Sequence, residues 1–291
     1  MRVCLVVNPQ AGRGRAGRFA VRVWTLLRRT FRDLEMVLSQ SARHVTEVAS
    51  EAVRAGYDLL VGCGGDGTVH HLLPSLFGSS VTLGIIPLGS GNDLARGLGL
   101  PCEYGAACEV LARGRARAFD LARIGDRFFA SVASVGLSAE VNRLANARAT
   151  AGWGRRWRYL GALLQVIPSY APRPLHLVVD GHELEREVVL VAVGNGAFFG
   201  GGFRILPDAQ MDDGWLDLCL VNRLERQRIL RAIPSVYRGR HRGHPAAEFY
   251  RARRIRILSP EPLSVFADGE YVQETPVTIE IIPRAIRVIV P

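Results

Sequence analysis

The sequence predicts two domains of different class: an α/β domain on a parallel sheet, then a β-rich domain with a helical insert. Three observations predict this. Short apolar runs alternate with helix-period segments over the first third of the chain. From about residue 117 the pattern becomes almost wholly strand-like. Gly, Asn and Asp gather in loops directly after the early strands. The length of 291 residues suffices for two ordinary domains.

The elements follow in order. Val3–Val7 is a continuous apolar run ending at Asn8-Pro9, a buried strand feeding a loop. Arg15–Arg29 places Phe19, Val23, Leu26 and Leu27 at helical spacing. Leu34–Leu38 reads as a strand, Val45–Ala55 as a helix and Asp58–Val61 as a strand. The turn Gly62–Gly67 opens a helix over Thr68–Phe77, and Val81–Pro87 is a strand closed by the glycine loop Gly89–Gly91. Strands alternating with helices imply parallel pairing with right-handed crossovers. Beyond residue 117 the expected strands are Phe119–Ile124, Phe128–Val135, Leu175–Val179, Glu187–Val193, Trp215–Val221, Arg254–Leu258, Leu263–Phe266, Val277–Ile282 and Ile286–Val290. Two helices interrupt them, Ser138–Gln165 with a break expected at Gly152–Gly154, and Leu224–Tyr237. The boundary is expected near residue 120.

Composition narrows the classes. Hydrophobic residues are 48% and charged residues 22%, which excludes a disordered or fibrous chain. The net charge is +10, and all 37 basic residues are arginine. Without lysine, a Schiff-base or Walker-type lysine mechanism is excluded. The positive balance implies attraction to phosphates, nucleic acid or an anionic membrane. The five cysteines form no CxxC pair and no Cys/His cluster, so a reducing compartment is expected and a zinc site is not. No signal-peptide pattern opens the chain and no apolar run reaches the ~18 residues of a membrane span. The expectation is a cytoplasmic protein.

Three loops carry the chemistry. The first is NPQAGRGRAG at Asn8–Gly17, whose glycines permit close backbone approach to an anion ahead of a helix start. The second is CGGDGTVHH at Cys63–His71, where Asp66 sits among glycines and Thr68 can cap the helix or hold a phosphate oxygen. The third is PLGSGNDLAR at Pro87–Arg96. Ligands of a parallel sheet bind at the carboxyl ends of its strands, so loops of this kind after successive strands point to a nucleotide site.

GGDGTV together with PLGSGNDLA resembles the diacylglycerol kinase catalytic domain family, bacterial lipid kinases related to sphingosine and ceramide kinases. NPQAG matches the family's first motif. FDLARI at Phe119–Ile124, VGNGAFFGGGFRILPDAQMDDGWLDL at Val193–Leu218 and ADGEY at Ala267–Tyr271 extend the likeness over nearly the whole chain. The resemblance implies an α/β nucleotide domain over 1–120, to which a last strand at about 284–291 returns. It also implies a β-sandwich domain over 121–283, with the nucleotide in the cleft between.

The resemblance further implies site residues. ATP contacts fall on Asn8, Pro9, Gln10, Ala11 and Gly12, on Ser39 after the second strand, and on Gly64, Gly65, Asp66, Gly67, Thr68, Val69, His70 and His71. Gly89, Ser90 and Asn92 complete the set. His70-His71 stands where the family has Asn-Glu, a departure that removes an acid from the nucleotide site, and Ser90 replaces the family's Thr. Phosphoryl transfer needs a cation on the phosphates and a base for the alcohol proton. The family's Mg²⁺ positions fall on Gln210, Asp213 and Trp215, the first and last through main-chain carbonyls, with Asp66 and Asp120 in the surrounding acid network. Glu270 matches the proton acceptor. The substrate implied is a lipid hydroxyl, that of diacylglycerol, met at a membrane surface, and a homodimer is compatible with the family.

Two further segments are singled out. Trp153, Arg155, Arg156, Trp157, Arg158 and Tyr159 interleave aromatics with arginine ahead of an apolar helix, a membrane-interface pattern. Arg223–Arg256 carries eleven arginines against Glu225 and Glu248, a basic face suited to anionic lipid, which would place the protein at the inner face of the membrane. No nucleic-acid partner is expected. The rival readings are an NAD kinase-like enzyme, which the GSGND, DDG and DGE segments oppose, and a non-catalytic nucleotide- or nucleic-acid-binding relative, which His71 favours.

Overall fold

A computed structural model describes residues 1–147 and 155–291. The chain divides into two compact units, one of Met1–Asp120 with Arg284–Pro291 and one of Leu121–Pro283.

The first unit opens with β1 (Arg2–Val7), α1 (Ala11–Arg28), β2 (Asp33–Leu38), α2 (Ala42–Arg54), β3 (Leu59–Gly64) and α3 (Asp66–Leu76). It continues with β4 (Thr82–Pro87), α4 (Asp93–Gly97), α5 (Tyr104–Arg113) and β5 (Arg115–Ile124), which runs on past the unit's end. The expected parallel sheet is present. β1 lies between β2 and β3, and β3 between β1 and β4, all in parallel register. Its strands read as unbroken apolar runs because helices cover both faces. Val3, Leu5, Val7, Leu59 and Val61 are buried on one face with Ala16, Ala20, Val23 and Leu27 of α1; of the four positions that helical periodicity picked out, Val23 and Leu27 are in this core and Phe19 and Leu26 pack against it partly buried. The sequence reading omitted α5. Its apolar Ala107, Cys108 and Leu111 pack into the same cluster, and its Ala, Glu, Leu and Arg residues are good helix formers.

The second unit contains β6 (Arg127–Phe129), β7 (Val132–Gly136), α6 (Leu137–Ala147), α7 (Arg155–Val166), β8 (Arg173–Val179) and β9 (His182–Gly194). Then follow β10 (Leu216–Asn222), α8 (Arg226–Tyr237), β11 (Ala247–Ala252), β12 (Arg254–Leu258), β13 (Ser264–Ala267), β14 (Glu270–Glu274) and β15 (Val277–Val290). Strand β9 is shared. Its first half pairs with β8, and its second half with β7 and β10. β8 pairs on with β12, and β12 with the start of β15. The two strand groups bury Val191, Val193, Leu218, Leu177, Ile257 and Ile279 in one core, the interior of a β-sandwich-like domain. The end of β15 belongs to the first unit, where Arg287 and Val288 pair in parallel with Thr82 and Leu83 of β4.

Several boundaries differ from the sequence reading, each for a local reason. Phe128–Val135 is two strands, because the Ala130 and Ser131 N–H groups donate to the Asp268 carboxylate (2.9 Å each) and leave the ladder. Val277–Val290 is one strand although Arg284 takes a left-handed φ of 52°; its N–H donates to Asp120 (2.7 Å), which holds the chain on its path through that residue. β9 begins at His182, earlier than expected. Asp180 and Gly181 have φ of 46° and 91°, which suits a two-residue primed hairpin turn. β11 was not expected at all. The break expected at Gly152–Gly154 lies outside the described residues, as do Trp153 and the side chains of Arg155 and Arg156. Among the described residues no helix is long and apolar enough to cross a membrane.

Candidate functional site

In the first unit three loops interlock at the carboxyl ends of β1, β3 and β4. Asn8 ties two of them together. Its main-chain N–H donates to the Cys63 carbonyl (3.0 Å), its Nδ2 to Thr68 Oγ1 (3.2 Å), and its Oδ1 accepts from the Gln10 N–H (3.1 Å). Pro9, Gln10 and Ala11 follow, and Gly12 adopts a φ of 59°. A Cβ on Gly12 would lie 2.0 Å from the Leu88 carbonyl oxygen, so only glycine lets this loop pass the third one.

The second and third loops share backbone. The Gly64 carbonyl accepts from the N–H groups of Leu88 and Gly89 (2.8 Å each). A Cβ on Gly89 would lie 2.3 Å from Gly65 Cα, and one on Gly64 would lie 2.3 Å from Thr68 Oγ1. Gly89→Ala therefore drives a methyl into backbone that cannot yield cheaply. It is expected to cost about 1–3 kcal/mol, the range for overpacking. A lowered urea midpoint at unchanged m-value would show it; an unaltered midpoint would mean the loops are not in contact.

Around this interlock the remaining candidates are placed as follows. Asp66 is buried at the start of α3, and its Oδ1 accepts from the Leu94 N–H (3.1 Å). Gly67 is half-buried beside it. Asn92 adopts a φ of 56° and its Nδ2 donates to the Pro87 and Gly89 carbonyls (3.2 Å each), while Ser90 is exposed. Ser39 is buried, with its N–H on the Val7 carbonyl (2.8 Å). His70 and His71 meet edge to face with ring centroids 5.5 Å apart, and Thr46 Oγ1 donates to the His71 carbonyl (3.1 Å). Val69 is in the core, so only its main chain can meet a ligand. Asp120 is buried and holds the Arg284 N–H, fixing the path of β15.

The second unit holds the other candidates. Glu270 is exposed at the start of β14, directly after the turn Asp268-Gly269. Both turn residues have positive φ, 52° and 87°, as a two-residue primed hairpin requires. The Asp268 carboxylate is occupied by the Ala130 and Ser131 N–H groups. Asn146 Nδ2 donates to the Gly269 carbonyl (2.9 Å). Of the two neighbouring acids, Asp268 builds the turn and Glu270 is presented by it. Asp268 was legible as the D-G hairpin signal; Asn146 had no sequence signal.

Gln210, Asp213 and Trp215 lie in the turn before β10. Asp213 Oδ1 accepts from the Trp215 N–H (3.1 Å), and its other oxygen is paired with Arg251. The guanidinium groups of Arg253 and Arg251 stand 4.8 and 5.6 Å from the Trp215 ring centroid. Asp217 lies opposite Arg251 in the β10–β11 register. Burial raises its carboxyl to about 6, with Arg251 opposing and Asp213 adding to the shift. Among the described residues no cluster of three or more His, Cys, Asp and Glu could hold a metal ion. The donors in this turn are main-chain carbonyls and one carboxylate that already attracts a cation. That hard-oxygen set fits Mg²⁺, which binds through few protein ligands and keeps its waters.

A parallel-sheet domain with glycine loops at its strand ends, followed by a sandwich domain bearing acid-presenting turns, defines a kinase with an alcohol acceptor. Residues 2–124 match the family model for the diacylglycerol kinase catalytic domain, and residues 131–290 match the model for the YegS C-terminal NAD kinase beta sandwich-like domain. A diacylglycerol kinase of Mycobacterium tuberculosis is 33% identical over 298 residues, covering 100% of this chain and 95% of the relative. One of Bacillus subtilis is 26% identical, with 100% and 96% covered. A solved diacylglycerol kinase structure from Bacillus anthracis superposes with a TM-score of 0.79 at 25% identity, covering 100% of this chain and 97% of that one. A further solved Bacillus anthracis chain reaches 0.86 at 29% identity, with 100% and 95% covered. The chain belongs to the diacylglycerol kinase catalytic domain family.

Proposed function

We propose that the chain transfers the γ-phosphate of ATP, with Mg²⁺, to the free hydroxyl of diacylglycerol. The observation that carries the nucleotide half is the backbone interlock of the Gly64–Gly65 and Gly89 loops beside a buried Asp66. Such loops put N–H groups and a helix start where phosphates can approach, without a lysine. The observation that carries the acceptor half is the exposed Glu270, held out by a turn whose own acid is fully engaged. Its relatives' names supply the acceptor, diacylglycerol.

In this reading Asn8, Gly12, Gly64, Gly65, Thr68, Gly89 and Asn92 cradle the nucleotide, with Ser39, His70 and His71 toward its nucleoside. Asp66 and Asp120 keep the loops and β15 in place. Gln210, Asp213 and Trp215 would hold Mg²⁺, which supplies positive charge to the phosphates. Glu270 takes the alcohol proton as the oxygen attacks. The test is transfer of radiolabel from γ-labelled ATP to a panel of diacylglycerol, ceramide, sphingosine, monoacylglycerol and NAD. Label on diacylglycerol above all others is expected. Label on NAD alone would replace this reading with the NAD kinase one, and label on another lipid would change the acceptor.

A further inference from the structure

The turn over 210–215 leads straight into β10, and β10 carries a further acid, Asp217. Asp217 lies opposite Gly194 of β9 on one side and opposite Arg251 of β11 on the other. Leu216 and Leu218 beside it, and Ala252 beside Arg251, are buried in the sandwich core. Side chains alternate along a strand, and directly opposed residues share a face. Asp217 and Arg251 therefore project together from the other face of the sheet.

Arg251 thus stands between two carboxylates and serves only one. Its guanidinium is paired with Asp213 and lies 5.6 Å from the centroid of the Trp215 ring. Asp217 Oδ2 is buried and accepts no hydrogen bond. A buried carboxylate oxygen without a donor is costly, and the cation opposite this one is committed to the turn. A divalent cation at the turn would draw on the same Asp213 carboxylate as Arg251, and two cations on one acid repel each other.

We infer that Arg251 is a resident counter-ion of the metal turn, which a divalent cation at Asp213 displaces onto Asp217. Asp213 then gives up the guanidinium and takes the metal. Asp217 receives the guanidinium and gains the partner that its Oδ2 lacks. Arg253, 4.8 Å from the Trp215 ring centroid, keeps a guanidinium on that ring when Arg251 leaves. One ion pair is broken and another is formed, so Arg251 and Asp217 together set how tightly the turn holds its metal. The inference rests on the assignment of Mg²⁺ to Gln210, Asp213 and Trp215.

The test is Mg²⁺ binding to the full chain without nucleotide, measured by isothermal titration calorimetry. R251Q removes the competitor and should tighten Mg²⁺ by about three- to five-fold, the scale of a partly exposed ion pair. D217N removes the receiving acid and should weaken Mg²⁺ by a similar factor, about three- to five-fold. Because Asp217 acts through Arg251, the R251Q/D217N double variant should bind close to R251Q, a coupling that two independent charges would not give. Gln at 251 is half exposed and Asn at 217 is isosteric, so unfolding in chelator should show both variants folded. R251Q alone decides the competition if D217N does not fold. An R251Q variant that binds Mg²⁺ no tighter than the wild type overturns the inference, as does equal weakening by D217N in both backgrounds. If the wild type shows no Mg²⁺ binding that D213N removes, the metal assignment itself falls, and this inference with it. Tighter binding in R251Q that D213N abolishes supports both.

Discussion

Asp213→Asn is expected to lower turnover by on the order of 10²-fold or more, with Asp212→Asn within a few-fold of wild type. The two acids are adjacent, yet the structure treats them differently. Asp213 folds back so that Oδ1 accepts from the Trp215 N–H at 3.1 Å and its second oxygen meets Arg251. Asp212 is exposed. Asparagine at 213 keeps an oxygen for the Trp215 N–H, so the turn should survive. What it loses is the charge, which Mg²⁺ requires and which now pairs with Arg251. Arg251 is 48% exposed, so losing that pair should cost at most ~1 kcal/mol of stability. The check is turnover as a function of Mg²⁺ concentration, with thermal unfolding on the same preparations. A raised Mg²⁺ requirement in Asp213→Asn alone supports the assignment; equal losses at 212 and 213 would sink it.

What the sequence disclosed and what it hid divide along the range of the interactions involved. The glycine loops were legible because their demand is local. Gly12, Gly64 and Gly89 are each within 2.0–2.3 Å of a clash were a Cβ present, so the residue type itself records the geometry. The parallel sheet was legible because strands covered on both faces stay apolar along their length, as Val3–Val7 and Leu59–Val61 do. The missed features depend on partners far along the chain. Phe128–Val135 looks like one strand until Asp268, 137 residues from Ser131, removes two N–H groups from the ladder. Pro283-Arg284 looks like a stop, but Asp120, 164 residues away, accepts the Arg284 N–H and the strand continues. The pairing of Asp213 with Arg251 was hidden for the same reason. No spacing rule connects a turn before β10 with a residue on β11, 38 positions later.

Glu270→Gln should abolish lipid phosphorylation while leaving ATP affinity nearly unchanged. An alcohol is a poor nucleophile at neutral pH unless its proton leaves as the oxygen attacks. A carboxylate in reach of that proton is worth ~10²–10⁴ in rate. Asp268 is an acid only two residues away, and the structure separates the two. Its oxygens each accept a main-chain N–H at 2.9 Å, from Ala130 and Ser131, so it is spoken for by the turn. Glu270 follows Gly269, whose φ of 87° lets the chain reverse, and its side chain is exposed. Glutamine is nearly isosteric, sits at the same exposed hairpin position and removes only the capacity to accept a proton. The hairpin should therefore be preserved, and ATP binding, which the proposed function assigns to the loops of the first unit, should be untouched. The complementary change, Asp268→Asn, should instead lower stability, because it puts an NH2 donor in place of one accepting oxygen, so one of the two main-chain bonds that hold the turn is lost and the other loses its charge, with turnover falling through misplacement of Glu270. Turnover, nucleotide binding and unfolding measured on one preparation of each variant separate the two roles. If Glu270→Gln retains more than about a tenth of wild-type turnover, a base worth ~10²-fold is excluded, and the proton acceptor must be sought at Asp66.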